Sequence, residues 1–201
     1  YDFGAYPADR LVKEEEAEVL GKFCLHQKIV DEISWENIPN NIGLIAYFTP
    51  EIRVGKNENV KDCQTFHSSH ALNVFTTVYS KYSAFSDWTR TSEYVFGSCF
   101  VHESSFCLKC FYSKKLTRCF EVDSSRNCTD CYFCHNCENV RGGILCFNAK
   151  NLSHAICNVE VGREEFERVK KLLLDWVNLD IRKNRRLSIG IFDVGAPKKQ
   201  E

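Results

Sequence analysis

The chain has 201 residues, no methionine, and four prolines, none of them between Pro50 and Pro197. So long a stretch without proline suits hydrogen-bonded strands, because proline cannot donate to a ladder. Neither Asn-Gly nor Asp-Gly occurs, so the strongest signal for tight hairpins is missing. The longest apolar run, Ile42 to Phe48, is far too short to cross a bilayer, and no signal-peptide pattern opens the chain. Net charge is also missing. Twenty-six basic against 27 acidic side chains leave −1, so no global field draws in nucleic acid. No glycine-rich phosphate loop is present, and Gly142-Gly143 reads as a tight turn. These absences predict a cytoplasmic chain without membrane insertion. Without an initiator Met, Tyr1 is expected not to be a translation start, which makes the chain a fragment, a processed product or a trimmed sequence.

What the chain does have is twelve cysteines in an otherwise average composition of 44% apolar and 26% charged residues. Cys24 stands alone, and the other eleven fall between residues 60 and 160 with sixteen of the 26 aromatics. The chain thus divides into a helical segment with a lead-in strand (1–58), a Cys- and aromatic-rich centre (59–161), a helix (162–181), and a basic link with a short strand and tail (182–201).

Short apolar triplets recur through the centre, among them Tyr94-Val95-Phe96, Cys110-Phe111-Tyr112, Cys131-Tyr132-Phe133 and Leu145-Cys146-Phe147. Polar links such as Ser104-Ser105 and Ser124-Ser125 separate them. A short strand and a polar corner roughly every eleven residues read as a solenoid, with two units making a coil of about 22 residues. The expected fold is mainly β: a β-solenoid (β-helix) of four or five coils, with a flanking N-terminal helical segment and a C-terminal capping helix. An evenly spaced antiparallel sandwich is the alternative.

The run Leu116-Thr-Arg-Cys-Phe-Glu-Val-Asp-Ser-Ser-Arg-Asn-Cys-Thr-Asp-Cys-Tyr-Phe-Cys-His-Asn-Cys-Glu-Asn-Val-Arg, followed by Cys146-Phe-Asn-Ala-Lys-Asn-Leu and Gly162-Arg-Glu-Glu-Phe, resembles a group of cysteine-rich repeat proteins of archaea and small-genome bacteria. Their repeats read Cys-Tyr-x-Cys-x-Asn-Cys-x-Asn. The resemblance covers roughly residues 57 to 175 and implies the solenoid architecture. It implies no activity.

At the flanks, Asp9 to Ile33 carries apolar residues at helical spacing, started by Pro7 and Asp9 and weakened at Gly21, so two shorter helices are an option. Gly43 to Phe48 reads as a buried strand. Gly162 to Leu179 is a helix whose stripe is Phe166, Val169, Leu172, Leu173, Trp176 and Val177. A solenoid exposes its core at its last coil, and this helix is expected to lie across that end.

The motif that could carry chemistry is Cys128, Cys131, Cys134 and Cys137, four thiols at spacings of three. Thiolates so spaced can converge on zinc or an iron–sulfur cluster, although a ferredoxin motif continues with Cys-x3-Cys-Pro. Cys107 and Cys110 form a further Cys-x2-Cys element, and His135, His102, His67 and His70 could supply nitrogen. Against this, alternate residues of a strand share a face, so cysteines three apart turn inward together only with a corner between them. With corners, buried Cys acts as a small hydrophobe, the reading favoured for Cys119, Cys146 and Cys157. Disulfides are the third option.

Weaker candidates remain. Cys99 and His102 could form a thiolate–imidazole pair, but no orienting third group is visible. Arg182-Lys-Asn-Arg-Arg186 could touch phosphates, and more simply suits a helix C-terminus. Asn127-Cys-Thr and Asn151-Leu-Ser match the glycosylation pattern. Leu187 to Val194 alternates and could add a strand to a neighbouring subunit.

The leading expectation is a non-enzymatic structural or protein-interaction module, part of a homo-oligomer or larger assembly. The alternatives are a zinc or iron–sulfur carrier using Cys128 to Cys137, and a virion or envelope component. Cluster-assembly scaffolds also use a β-helix, which is analogy only.

Overall fold

The computed structural model describes residues 7–34, 37–49 and 52–194; Tyr1 and the Pro197 tail lie outside them. Its centre is a β-solenoid of about nine turns. The strands are β1 (Ile52–Val54), β2 (Glu58–Phe66), β3 (Ser69–Val78), β4 (Lys81–Ala84), β5 (Asp87–Arg90), β6 (Glu93–Phe96), β7 (Cys99–His102), β8 (Ser105–Asp123), β9 (Arg126–His135), β10 (Arg141–Ile144), β11 (Ser153–Ile156) and β12 (Val159–Glu160). Every pairing between neighbouring strands is parallel except the last, where β12 folds back antiparallel on β11.

The coil is shorter than the expected 22 residues. Lys81 pairs with Glu93, Glu93 with Ser105, Lys114 with Arg126 and Arg141 with Ser153, so each turn takes 12 residues. Only the pairing of β2 with β3 differs, with 11 residues from Glu58–Ser69 to Cys63–Val74, up to a bulge between Cys63 and Gln64. The solenoid also starts at β1, ahead of the expected boundary at residue 59.

Backbone conformation explains the short turn. From His67 almost every third residue is left-handed: His67, His70, Asn73, Tyr79, Tyr82, Phe85, Trp88, Thr91, Tyr94 and onward to Asn151 and His154, with glycine only at Gly97 and Gly142. Each such residue bends the chain, giving four bends per turn. A left-handed non-glycine residue costs about 1–2 kcal/mol. The side chains at these positions help offset that cost, because they stack along the solenoid. Tyr82, Tyr94 and Phe106 lie face to face at 4.7 Å, and the Asn127, Asn139 and Asn151 amides form a ladder at 3.1 Å.

The residue after each bend points inward, which makes four interior columns. One runs Ser68, Ser80, Ser92, Ser104, Leu116, Cys128 and Val140, and a second Ser83, Val95, Cys107, Cys119, Cys131, Gly143 and Ala155. The third holds Ser86, Ser98, Cys110, Val122, Cys134 and Cys146, and the fourth Thr77, Thr89, Val101, Ser113, Ser125, Cys137 and Ala149. Gly142-Gly143 is therefore no turn: Gly142 takes a bend position and Gly143 an interior one.

The C-terminal helix α4 (Arg163–Asn184) forms as expected but takes a different place. Phe166 meets His154 edge-on, Lys170 sits over Tyr132, and Leu174, Val177 and Ile181 border a groove whose other side is Phe120, Leu108 and Phe106. From Phe166 to Ile181 is about 22 Å of helix. From His154 to Phe106 is four turns, about 19 Å at strand spacing. The match means that the helix runs back along the wall instead of across the open end. It covers an outward apolar column, Phe120, Tyr132 and Ile144, where a long stripe finds a long partner. Leu172 and Trp176, expected in that stripe, stay exposed.

At the N-terminus, Asp9 to Ile33 holds two shorter helices, α1 (Glu14–Leu20) and α2 (Gln27–Asp31), with Gly21 capping the first, and α3 (Ile38–Ile42) follows. Gly43 to Phe48 is not a buried strand. The amides of Ile45 and Ala46 are taken by the Ile42 carbonyl, Leu44 is exposed, and only Phe48 makes an isolated bridge, to Leu11.

Candidate functional site

Cys128, Cys131, Cys134 and Cys137 fill all four inward positions of a single turn and are at most 2% exposed. The corners that strand geometry demands are supplied by left-handed Asp130, Phe133 and Asn136. Each thiol donates to the carbonyl two residues earlier, at 3.2 Å to Arg126, 3.5 Å to Thr129, 3.4 Å to Tyr132 and 3.5 Å to His135. Lower in the solenoid serine hydroxyls make the same bond, from Ser80 to Val78, Ser92 to Arg90 and Ser104 to His102 at 2.7–2.9 Å. Cysteine and serine thus fill one structural slot.

Cys131 lies in hydrogen-bonding contact with the thiols of Cys119, Cys128 and Cys134, and these contacts with burial push its pKa far above the ordinary thiol range. Burial likewise pushes Cys110 up, with Cys107 adding to it. Cys128 and Cys137 shift the other way, lowered first by their hydrogen bonds with the Cys131 and Cys134 thiols. The raised, desolvated thiols are packing groups rather than nucleophiles.

The other proposed ligands do not join this ring. Cys107 and Cys110 lie two turns below Cys131 and Cys134, about 10 Å along the axis, so the two Cys-x2-Cys elements do not meet at one point. His135 faces outward, its Nδ1 2.7 Å from the buried Asp123 carboxylate. His67 stacks outside on Tyr79 and His70 on Tyr82. Among the described residues no group of three or more His, Cys, Asp or Glu is arranged to hold a metal ion. All twelve cysteines are free; Cys157, expected in the interior, is exposed.

Cys99 and His102 do not form a nucleophilic pair. The Cys99 thiol donates to Asp87 Oδ2 at 3.6 Å, and burial and that carboxylate raise its pKa, the reverse of thiolate activation. His102 is lowered by burial, then by Arg90 and Lys114. Two further expectations shift as well. Arg182 and Lys183 belong to the last turn of α4, followed by left-handed Arg185, so the basic run starts as helix rather than link. Leu187 to Val194 is not a strand. It folds onto its own solenoid, burying Ile191, whose amide donates to Glu121 at 2.8 Å, while Phe192 meets Phe111. Glu121 is itself paired with Lys109 at 2.7 Å.

The sequence reading missed the outward aromatic columns. One is His70, Tyr82, Tyr94 and Phe106; another is Trp88, Phe100 and Tyr112, with ring centroids 5.4–5.9 Å apart. Their twelve-residue spacing was the available signal. Beside the first column the apolar wall continues below α4 as Leu72, Phe96 and Leu108, each 40–43% exposed. Because the ring faces stack on one another, this wall presents edges: a flat apolar ribbon. A groove of about 480 Å³ marks the seam where α4 stops, lined by Phe106, Leu108, Leu174 and Ile181 among others.

Neither a protein-family model nor a curated protein matches the chain. No described helix is long and apolar enough to cross a membrane.

Proposed function

We propose that this chain is a non-enzymatic structural or interaction module that works in a larger assembly through the outer wall of its solenoid. One observation carries the reading: the wall that α4 closes over the upper turns lies open over the lower ones, at Leu72, Phe96, Leu108, Tyr82 and Phe106. A contiguous apolar face of this kind marks an interaction site. Solenoid walls offer such faces as extended binding surfaces. Kinship with the cysteine-rich repeat proteins belongs to the same proposal, as does a reducing compartment such as the cytoplasm, which suits twelve free thiols.

The test is native mass in a gently lysed extract, where the chain should migrate well above its 23.2 kDa. Phe106→Glu combined with Tyr82→Glu should release it. A wild-type chain that runs as a monomer in the extract would remove the reading.

Four thiols in one turn favour a second reading, a zinc or iron–sulfur carrier. Burial and their bonds to carbonyls weigh against it, and the thiol count described in the Discussion separates the two.

A further inference from the structure

We infer that a second copy of this chain pairs with α4, antiparallel and about a two-fold axis, through the face that the solenoid leaves bare. The inference rests on the assembly reading but uses a different surface. Helix α4 carries two apolar stripes. Phe166, Val169, Leu173 and Val177 turn to the wall. Leu172, Trp176 and Leu179, at spacings of four and three, are 57%, 40% and 67% exposed. On a helical wheel Glu165, Leu172, Trp176, Leu179 and Lys183 fall within about 60° of one another, a seam of the width that helix pairs use.

Charge selects both the occupant and the direction. The helix opens with Glu164 and Glu165 and closes with Arg182 and Lys183. A parallel pair would set like charges together, whereas an antiparallel pair sets the acidic first turn of each copy against the basic last turn of the other, with the helix dipoles opposed. In the register where paired residue numbers sum to 348, Glu165, which also pairs with Arg168 of its own helix at 2.6 Å, faces Lys183 of the second copy, and Leu172 faces Trp176. The contact is isologous, as a two-fold dimer requires. One helix pair lies at the low end of the area that stable interfaces bury, about 1,000 Å² in total. The dimer is therefore concentration-dependent.

Sedimentation equilibrium of the purified full chain from about 1 to about 200 µM, the micromolar range expected for so small a contact, should show a monomer–dimer transition. Trp176→Glu, an exposed position, should abolish it while the circular dichroism and melting temperature stay unchanged. Glu165→Lys and Lys183→Glu should each weaken the dimer at least tenfold, and the double variant should restore it. A monomer throughout, a dimer that survives Trp176→Glu, or no restoration in the double variant would each overturn the inference. A Trp176-dependent purified dimer beside a monomer in the native extract would keep the contact and remove the assembly reading. A large native assembly built from a purified monomer would do the opposite.

Discussion

The Ser125 hydroxyl accepts the Cys137 amide of the next turn at 2.9 Å and donates to the Asp123 carbonyl at 2.8 Å. Cys137 in turn donates its thiol to the His135 carbonyl, in the same relation one turn up. Twelve residues apart, a serine and a cysteine do the same work. Most interior serines and cysteines tie down a neighbouring carbonyl in this way, so at these positions identity matters less than size and one donor.

Replacing Cys128, Cys134 or Cys137 singly by Ser should therefore cost only about 1 kcal/mol, the net worth of one exchanged hydrogen bond. Urea denaturation with an unchanged m-value checks it. Cys131→Leu, below Gly143, should cost about 1–3 kcal/mol by overpacking.

Gly143 sits at a tightly packed interior position. An added Cβ would stand 3.0 Å from Val140 Cγ1, 3.2 Å from Cys131 Sγ and 3.3 Å from Cys134 Sγ. All three are held by the columns around them, so Gly143→Ala should destabilise the chain by about 1–3 kcal/mol. An unchanged melting temperature would show that the thiols can move aside.

The solenoid was legible in sequence because proline was missing and short apolar steps recurred. Its pitch was not. Apolar triplets reflect outward as well as inward residues, so their spacing drifts around eleven, while the inward column Ser80, Ser92 and Ser104 keeps strict twelves. The period-two rule for strands also misleads here, because Tyr82, Trp88 and Tyr94 are left-handed and nothing in a tyrosine or tryptophan announces that. The cysteine spacing of three suits either a metal site or packing with corners between the thiols, and only the backbone shows that it equals the interval between bends. The position of α4 depended on the wall column Phe120, Tyr132 and Ile144, which becomes visible only once the coil length is known.

Ile191 is 4% exposed and pins the C-terminal segment beside Phe120. Ile191→Ala should cost about 2 kcal/mol or more, the lower range for a buried large-to-small change. Deleting residues 187–201 should lower the melting temperature at least as far, yet leave the sedimentation behaviour unchanged. A changed assembly size would return this segment to the role of a strand donor.

His102 gives the fold a pH dependence. Its folded pKa lies below the usual imidazole value, first through burial and then through Arg90 and Lys114, with Glu103 opposing. The unfolded chain thus binds this proton at higher pH than the folded one. The contribution is present above the ordinary imidazole pKa and is lost as pH falls through that value toward the folded one. In His102→Asn, the fall in stability between neutral and mildly acidic pH should be smaller. An identical pH profile would show that His102 protonates freely in the fold.

The most direct measurement of whether the cysteines are structure or chemistry is a count of reactive thiols in the native protein, purified anaerobically, with and without a chelator. Exposed Cys24 and Cys157 should alkylate quickly and Cys99 slowly, the other nine only on unfolding, and a chelator should change nothing. Release of Cys128, Cys131, Cys134 and Cys137 by the chelator, with stoichiometric zinc or iron in the sample, would contradict the account.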